Sequence, residues 1–436
     1  MAEILIAACP PVGHVGPLLS VARGLVNRGD RVTFLTAERH AAKIFAAGAH
    51  PHPLPVEADY DDTSFDADMP GRAETSGIKR INFDVTRLFV RPMRYQARAL
   101  SDLLASRRFD AVIVDAIFLG VLPMLLADDA DRPPVLSYCT TPPFITSRDT
   151  APGGTGITPG RGTFARLRNR LLTFVGQQVL MRPSHAAANA ELQAIGMPKL
   201  PVFVLDSAVL SDRVIVPTVP EFEYYRSDLP DHVRFVGAVT PAPAERFEPP
   251  AWWDRLHSGK PVVHVTQGTI DNADLSRLIE PTITALADED VTVVVTTGGR
   301  DITQISIPLP PNTFAAEFIP HDVLLPLVDV MVTNGGYGAV QRALLDGVPL
   351  VVAGNTEDKP EVAARVEWFG VGVNMRTGTP TPGAVKRAVR EVLTDTRYRD
   401  AARRLRSAYR RRDGVAEIAD LVDEAIDQRH VKVGRA

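Results

Sequence analysis

The segment that decides the fold contains, in order, FIPH at residues 318–321, VTNGGYGAVQ at 332–341, GVP at 347–349 and EDKP at 357–360. Val328–Thr333 is a short apolar run that predicts a strand, and a helix is predicted to begin at Val340–Leu345. A strand, a glycine-rich turn and a helix N-terminus expose backbone N–H groups that bind phosphate. Glycine lets the backbone approach a phosphate closely. Such a turn often only caps a helix. In this segment, however, the order of several elements around the turn favours the binding interpretation.

The rest of the chain alternates apolar strands with amphipathic helices on both sides of a proline-rich segment, Thr240–Pro250. Glu3–Cys9 is a continuous apolar run, which is typical of a parallel strand buried on both faces. A loop is expected at Pro10–Gly16, with Pro17 at the first position of the following helix. The alternation predicts an α/β fold with a doubly wound parallel sheet in each half. The predicted divisions are an N-terminal domain at 1–238, a linker at 239–251 and a C-terminal domain at 252–412.

Size and composition exclude several classes of protein. The 436 residues suit two domains of about 200 residues each. A net charge of −4 argues against nucleic acid or an anionic membrane as the main partner. The most apolar run, Ala111–Ala127, is interrupted by Asp115 and Pro123, so no membrane span is expected. Two cysteines, Cys9 and Cys139, fit a reducing compartment, and we expect a cytoplasmic protein.

Two titratable residues stand at strand ends of the N-terminal half. His14 follows the first strand ahead of a helix N-terminus, whose positive end favours a neutral, proton-accepting imidazole. Asp115 ends the strand Asp110–Val114 and, in a 3-2-1-4-5 sheet, would lie beside His14 and orient its ring. A lone loop histidine is more often structural, and Asp115 alone is also explained as the cap of a helix starting near Ile117.

The 318–360 motifs together resemble the donor-binding signature of family 1 glycosyltransferases, the nucleotide-sugar enzymes with the two-domain GT-B fold. The loop Gly13–His14 matches that family as well, which favours a catalytic His14 with Asp115 as its partner. The resemblance further implies that residues 413–436 form a helix packing back on the N-terminal domain. It implies a donor site at Gln267, Gly268, Thr269, Phe318, Ile319, His321, Asn334, Gly336, Gly338, Ala339, Gln341, Asp358 and Lys359.

Within that site, the resemblance places Phe318 against the base, the backbone of Ile319 at its edge, and the 334–339 turn at the diphosphate. Four positions depart from the family pattern. Asn334 stands where a histidine is usual, Ala339 where a hydroxyl residue is usual, Arg342 where a glutamate is usual and Lys359 where a glutamine is usual. These departures bear on the identity of the donor more than on the fold or the reaction.

The family resemblance, closest to bacterial macrolide or rifamycin-type natural-product enzymes, implies an inverting O-glycosyltransferase. It would move a hexose from a UDP-sugar (UDP-glucose by default) or a dTDP-sugar to a hydrophobic small molecule such as a polyketide antibiotic or a phenolic. No metal and no permanently bound cofactor is expected, and the protein would be a monomer or homodimer. The expected acceptor residues are Phe83, Phe89, Phe118, Phe144 and Phe164.

Other interpretations remain open or are disfavoured on the residues. A non-catalytic GT-B auxiliary protein is supported only by the departures at Asn334, Ala339 and Arg342, and a sugar-nucleotide epimerase shares the architecture. The triplet Asp66–Asp68 lies in an acidic loop and is interpreted as a solvated segment rather than a metal site. The basic run Arg403–Arg412 is interpreted as a solvated helix face rather than a nucleic-acid site.

Overall fold

The computed structural model describes residues 1–61, 69, 71–72, 74–127, 132–241, 247–269 and 271–433. The triplet Asp66–Asp68 and much of the predicted linker, 242–246, lie outside these residues. None of the helices within them combines the length and the apolar content that crossing a membrane requires.

The N-terminal half is built on a parallel sheet that contains seven strands within the described residues. They are β1 (Glu3–Ala7), β2 (Arg31–Thr36), β3 (His50–Pro53), β4 (Ala111–Asp115), β5 (Val135–Tyr138), β6 (Arg213–Val216) and β7 (Val233–Phe235). Their order is β3-β2-β1-β4-β5-β6-β7. β1 and β4 are almost wholly buried because helices cover both faces of the sheet. The neighbouring β1 and β4, predicted from the sequence, are confirmed, with Ala7 paired to Val114.

The C-terminal half repeats this plan, with six parallel strands among the residues that the structure describes. They are β8 (Val262–Thr266), β9 (Thr292–Thr296), β10 (Thr313–Ala316), β11 (Val330–Thr333), β12 (Leu350–Val352) and β13 (Gly372–Asn374). Their order is β10-β9-β8-β11-β12-β13. The order in which successive strands are added to the sheet reverses between β8 and β11, and ligands of open α/β sheets bind outside the carboxyl ends of such strands. The predicted α/β class with two doubly wound halves is confirmed.

The helices lie on the faces of these sheets and lead into or out of the loops at their edges. In the N-terminal half they are α1 (Val12–Asn27), α2 (Ala41–Ala46), α3 (Gly77–Asp84), α4 (Met93–Ser106), α5 (Leu122–Leu126), α6 (Gly162–Val175) and α7 (Arg182–Ala194). In the C-terminal half they are α8 (Ile279–Leu286), α9 (His321–Leu324), α10 (Tyr337–Asp346), α11 (Lys359–Trp368), α12 (Pro382–Thr394), α13 (Thr396–Tyr409) and α14 (Gly414–Val433). Wide π-type turns at Val85–Val90 and Gly176–Leu180 continue α3 and α6.

The start of α1 differs from the prediction. The helix begins at Val12 rather than at Pro17, because Pro11 has an extended backbone (φ −58°, ψ 141°) and its carbonyl accepts the N–H groups of His14 and Val15. Pro17 therefore lies inside the helix, where it has no N–H to give to the carbonyl of Gly13. His14 consequently belongs to the first turn of a helix rather than to a loop.

The two halves are joined by the last helix and by a buried ionic cluster. α14 packs its apolar side on the core of the N-terminal sheet, with Ile418 and Val422 fully buried. In the cluster, Arg365 of α11 donates to Glu223 of the N-terminal half (Nη2–Oε1 2.7 Å) and to Glu361 (Nη1–Oε2 2.8 Å). A buried charge is tolerated only when it is paired in this way. The cluster therefore fixes how α11 approaches the N-terminal half.

Candidate active site

The structure brings His14 and Asp115 into direct contact at the carboxyl edge of the N-terminal sheet. The Nδ1 atom of His14 lies 2.7 Å from Oδ2 of Asp115, and the hydroxyl oxygen of Thr140 lies 3.1 Å from the same nitrogen. His14 is 14% exposed at its side chain and Asp115 is fully buried. Because a carboxylate only accepts hydrogen bonds, Nδ1 carries the proton and Nε2 is left as the basic atom.

The Asp115 carboxylate is held from two sides. It accepts the backbone N–H of Cys9 after β1 (3.4 Å) and the backbone N–H of Ile117 after β4 (3.4 Å). The second contact lies in the turn after β4 and does not cap a helix, because the next helical turn begins at Leu119 without a side-chain cap. The Asp115 carboxylate therefore binds both the turn after its own strand, β4, and the imidazole that follows the neighbouring strand, β1.

The electrostatics of His14 differ from the expectation based on the helix end. Burial by itself lowers the pKa of the imidazole, but the charge of Asp115 and its hydrogen bond raise that pKa, and the net pKa lies above 6.5. The charges of Asp358 and Glu357 also raise it. These two acids belong to the loop between β12 and α11, so the carboxyl edge of the C-terminal sheet acts on His14 from the opposite half.

The turn between β11 and α10 has the form of an anion cradle. Gly336 precedes the helix with an extended backbone, and within the described chain no side chain caps the helix start. The first N–H groups of α10, at Tyr337, Gly338 and Ala339, have no acceptor within the helix. A Cβ built on Gly336 or Gly338 would meet no atom within 4 Å. The space beside these two glycines is therefore open.

The side chains around this cradle are largely occupied in holding loops together. Asn334 donates its amide to the backbone carbonyl of Gln267 (2.5 Å), which ties the turn after β8 to the turn after β11. The Gln267 side chain accepts the N–H groups of Leu278 and Ile279 (3.2 and 3.1 Å). Gly268 has a positive φ of 72° that lets the chain turn between these contacts. The donor-binding roles predicted for Gln267, Gly268 and Asn334 stay predictions, and the side chain of Gln267 is already engaged.

Lys359 is likewise committed to neighbours. It is 3% exposed, contacts Glu357 and Thr356 through Nζ, and lies 3.4 Å from Oδ2 of Asp271. Burial lowers the pKa of Lys359, but the surrounding acids raise it overall, so the ammonium is charged. Burial raises the pKa of the adjacent Asp358 to about 6. Asp358 and Lys359, which were predicted to contact the sugar together, therefore lie in different surroundings. The carboxyl group of Asp358 faces His14, whereas Lys359 lies inside an acidic cluster.

The remaining predicted donor residues lie at the same edge in different environments. Phe318 is 65% exposed, whereas the side chains of Ile319 and Gln341 are buried and Thr269 is exposed. His321 begins α9, and its burial, together with the charge of Arg342, lowers its pKa to about 4. An exposed Phe318 beside a buried Ile319 matches the predicted division between a stacking ring and a backbone contact, which stays a prediction.

The aromatic acceptor residues separate into two groups. Phe89 lies beside His14, with its ring centroid 5.8 Å from that of the imidazole. Phe144 lines a small crevice where the halves meet, together with Tyr224 and Arg365, and Phe83 is half-buried near Gly71. For Phe83, Phe89 and Phe144, the role in binding the acceptor stays a prediction.

Two of the five aromatic side chains predicted to bind the acceptor do not line a crevice in this structure. Phe118 is 1% exposed, because the chain turns back after β4, with its N–H on the carbonyl of Asp115, and directs the ring into the core. Phe164 is 89% exposed on the outer face of α6 and forms no wall of a crevice in this structure. Both were inferred from residue type, which does not reveal the direction of a side chain.

Sequence reasoning missed Thr140 and Asn272. Thr140 follows β5, the next strand after β4 in the sheet, so its place at the same edge was a detectable signal. Asn272 donates to the carbonyls of Gly268 (3.0 Å) and Thr297 (2.9 Å) and accepts from Nε of Arg300 (2.8 Å). No pattern in the sequence indicates that role. Among the described residues, no group of three or more His, Cys, Asp or Glu side chains is placed to hold a metal ion.

Two facing doubly wound halves, a His–Asp pair on one and a glycine-rich anion cradle on the other, define the GT-B class of glycosyltransferases. A family model described as "Erythromycin biosynthesis protein CIII-like, C-terminal domain" matches residues 280–424. The chain is 40% identical over 424 residues to 4'-demethylrebeccamycin synthase of Lentzea aerocolonigenes, covering 97% of this chain and 99% of that protein. It is 34% identical to UDP-glycosyltransferase 2 of Phaeomoniella chlamydospora, covering 97% and 95%. This chain belongs to the family 1 glycosyltransferases.

Solved structures agree on the fold. The kitacinnamycin glycotransferase matches with a TM-score of 0.73 at 22% identity, over 97% of this chain and 98% of that one. CalG4, the calicheamicin glycosyltransferase, matches with a TM-score of 0.71 at 24% identity, over 98% of both chains. These likenesses establish the GT-B fold, and the predicted family and fold are confirmed.

Proposed function

We propose that this protein is an inverting O-glycosyltransferase that transfers a hexose, by default glucose, from a nucleotide-diphosphate sugar to a hydroxyl of a hydrophobic small molecule. The observation that carries the proposal is the 2.7 Å contact between His14 and Asp115, faced by Asp358 from the other half. A buried carboxylate on Nδ1 and a basic Nε2 form the arrangement that general-base catalysis needs.

In the proposed reaction, the acceptor oxygen attacks the anomeric carbon while Nε2 of His14 takes the hydroxyl proton. The bond between the anomeric carbon and the diphosphate oxygen breaks, and the nucleoside diphosphate leaves with both electrons of that bond. One displacement at one carbon inverts its configuration. Asp115 stabilises the imidazolium that forms, because its negative charge lies on the opposite ring nitrogen.

The leaving diphosphate is assigned to the cradle at the start of α10. Its oxygens would accept the N–H groups at Gly338 and Ala339, and the positive end of the helix would stabilise the charge that develops. The uncapped helix start and the open space at Gly336 and Gly338 support this assignment. UDP is the default nucleotide, because the relative from Phaeomoniella chlamydospora is named a UDP-glycosyltransferase. A dTDP-sugar is the alternative donor.

The acceptor is proposed to be an aromatic or polyketide-like natural product. The relative that shares 40% of its sequence with this chain is named as the synthase of 4'-demethylrebeccamycin. Phe89, next to His14, offers an apolar ring where such an acceptor would approach the base.

A mass-spectrometric screen of UDP- and dTDP-sugars against phenolic and polyketide acceptors tests the proposal, with His14→Ala in parallel. We expect a product heavier by one hexose with the native protein and none with the variant. Transfer at an undiminished rate by His14→Ala would contradict the assigned base. Donor turnover without any glycosylated product would replace the proposed activity by epimerisation or hydrolysis.

A further inference from the structure

The orientation of α6 is inverted relative to an ordinary surface helix. Its only fully buried residue is the polar Asn169, whose amide donates to the carbonyl of Arg148 (3.1 Å). Its apolar residues instead face outward, with Phe164 89%, Leu167 64%, Leu171 61% and Phe174 59% exposed. A surface helix normally turns such a stripe toward the core. Nothing within the described chain covers this one.

The exposed stripe continues past the end of the helix. The π-type turn after α6 exposes Val179 and Leu180, and Asn82 of α3 donates its amide to the carbonyl of Leu180 (2.7 Å). That contact brings α3, with its exposed Ile78 and Ile81, beside the end of the stripe. We define the α6 apolar face as Phe164, Leu167, Leu171, Phe174, Val179 and Leu180.

The charge around the α6 apolar face has one sign. The segment from Thr150 to Ala190 contains five arginines and no aspartate or glutamate, although the whole chain has a net charge of −4. At 100° per residue, Arg168 and Arg170 lie on either side of the stripe, and both are exposed.

Two acids close to α6, Asp149 and Asp206, are already engaged. Asp149 accepts from Nε of Arg166 (2.9 Å) and from the hydroxyl of Ser227 (2.5 Å). Asp206 is buried and accepts from the hydroxyl of Thr146 (2.5 Å) and the amide of Gln177 (3.2 Å). The arginines flanking the stripe therefore keep an excess of positive charge at the surface.

We propose that the α6 apolar face docks on the surface of an anionic lipid bilayer. A helix with aromatic and aliphatic residues on one face and arginines along its sides lies in the interface of a membrane, with its apolar face at the level of the headgroups. The arginines are attracted to anionic headgroups. The helix, about 21 Å long, would lie along the membrane plane without crossing it.

Charge also argues against a second copy of the chain as the occupant. A two-fold contact through this face would bring the same arginines of both copies together, and like charges across an interface oppose association. An acidic protein would satisfy the charge, but the face is the convex side of one helix rather than a groove. A flat lipid surface fits that shape better, and the protein partner becomes an outcome of the test.

Docking would place the N-terminal half near apolar compounds that dissolve in membranes. The segment before α6 contains Phe144, and Pro152 of the same segment lies near Gly176 at the end of the helix. A hydrophobic acceptor entering from a bilayer would therefore reach the N-terminal half first. This consequence depends on the proposed function, whereas the docking itself does not.

The test is co-sedimentation of the full-length chain with vesicles of equimolar phosphatidylcholine and phosphatidylglycerol, against vesicles of pure phosphatidylcholine. We expect binding to the anionic vesicles that weakens as salt is raised. Leu167→Ser, Leu171→Ser and Phe174→Ser combined should lower the partition coefficient at least about tenfold. Arg161→Glu with Arg170→Glu should lower it by about tenfold as well.

Matched controls separate the face from general surface properties. Phe45→Ser removes another exposed aromatic side chain (75% exposed), and Arg403→Glu with Arg404→Glu reverses charges on the basic α13. Both controls should bind vesicles like the native chain, and thermal melting should show that every variant is folded.

Four outcomes would overturn the proposal. The native chain could fail to bind anionic vesicles at low salt, or it could bind them equally well after the α6 substitutions. It could also self-associate in the absence of lipid and become monomeric in the triple serine variant, which would assign the face to a second copy. Capture of an acidic protein through the same face, without vesicle binding, would assign it to a protein partner.

Discussion

The carboxyl edges of the two sheets use opposite parts of the chain. At the N-terminal edge, the side chains of His14 and Asp115 point into the site and contact each other. At the C-terminal edge, the side chains of Asn334 and Gln267 are spent on holding loops, and the free groups are backbone N–H groups at the start of α10. In the proposed function, one half therefore moves a proton and the other holds an anion.

The difference explains how substitutions should act. When a side chain that performs chemistry is truncated, that chemistry is lost, with little effect on binding elsewhere. A backbone cradle is insensitive to the loss of side chains and sensitive to added ones, because a new Cβ occupies the space of the ligand. The four predictions below test this division, beginning with the largest expected effect.

Apart from the removal of His14 itself, the largest effect is expected from Asp115→Asn. The amide can no longer stabilise the imidazolium of His14, so kcat should fall on the order of 10²-fold or more. Steady-state transfer assays measure the change. Thr140→Val removes the other polar contact to Nδ1 without removing a charge, and it should reduce kcat far less. Equal losses in the two variants would contradict the role of the charge.

The same variant should change the pH dependence. Because His14 must be neutral to accept a proton and its pKa is raised above 6.5, kcat/KM should increase with pH through that range. Asn at position 115 removes the charge that raises the pKa while the burial that lowers it remains. The acidic limb of the profile should therefore move to lower pH.

Asp358 provides the control for that profile, because its pKa of about 6 falls in the same range. If the limb reports His14, Asp358→Asn should move it only slightly downward, since Asp358 is a smaller contributor to the raised pKa than Asp115. A limb that disappears in Asp358→Asn would assign the titration to the carboxyl group.

Gly338→Ala tests the cradle. The added Cβ meets no protein atom within 4 Å, so the fold should be unchanged or slightly stabilised. It would enter the space assigned to the diphosphate, and the KM for the donor should rise about tenfold, or 1.4 kcal/mol. Gly383→Ala in the first turn of α12 is the matched control and should leave the donor KM unchanged. A donor KM that is unaffected by Gly338→Ala would remove the diphosphate from this turn.

The smallest effect is expected from Asn334→Ala. It leaves the buried carbonyl of Gln267 without its donor, so the free energy of unfolding should fall by about 1 kcal/mol. Denaturant unfolding measures this loss. Asn374→Ala, whose side chain makes exposed contacts with Glu367 and with the backbone N–H of Arg376, should cost less. If Asn334→Ala abolished donor binding without changing stability, the amide would be a ligand group rather than a tie between loops.

The sequence predicted the features that depend on strand order and strand ends. The neighbouring β1 and β4, the meeting of His14 with Asp115 and the turn before α10 follow from continuous apolar runs and from the topology of parallel sheets. Apolar runs and the alternation of strands and helices are patterns that can be read from a single sequence.

The sequence failed where the outcome depends on the direction of a side chain. Phe118 and Phe164 were both assigned to the acceptor, yet one fills the core and the other faces outward. The start of α1 was placed at Pro17, since nothing local indicates that Pro11 ends the preceding extended segment. The commitment of Lys359 to Glu357 and Asp271 depends on a long-range contact that spacing does not encode.

The whole-chain charge is an average that does not describe the segment around α6. The value of −4 argued against an anionic membrane, but the arginines between Thr150 and Ala190 surround an exposed apolar face without any acid. The charge around a particular surface patch, rather than the net charge of the chain, determines which partners that patch attracts.

The most direct test of the division between the two halves is a pair of measurements on His14→Ala: the Kd for UDP or dTDP by calorimetry, and the single-turnover rate of sugar transfer. The account predicts a Kd within about twofold of the native value, because the nucleotide binds the other half, and a rate about 10³-fold lower. A transfer rate close to the native one, or a nucleotide affinity lost together with the rate, would contradict it.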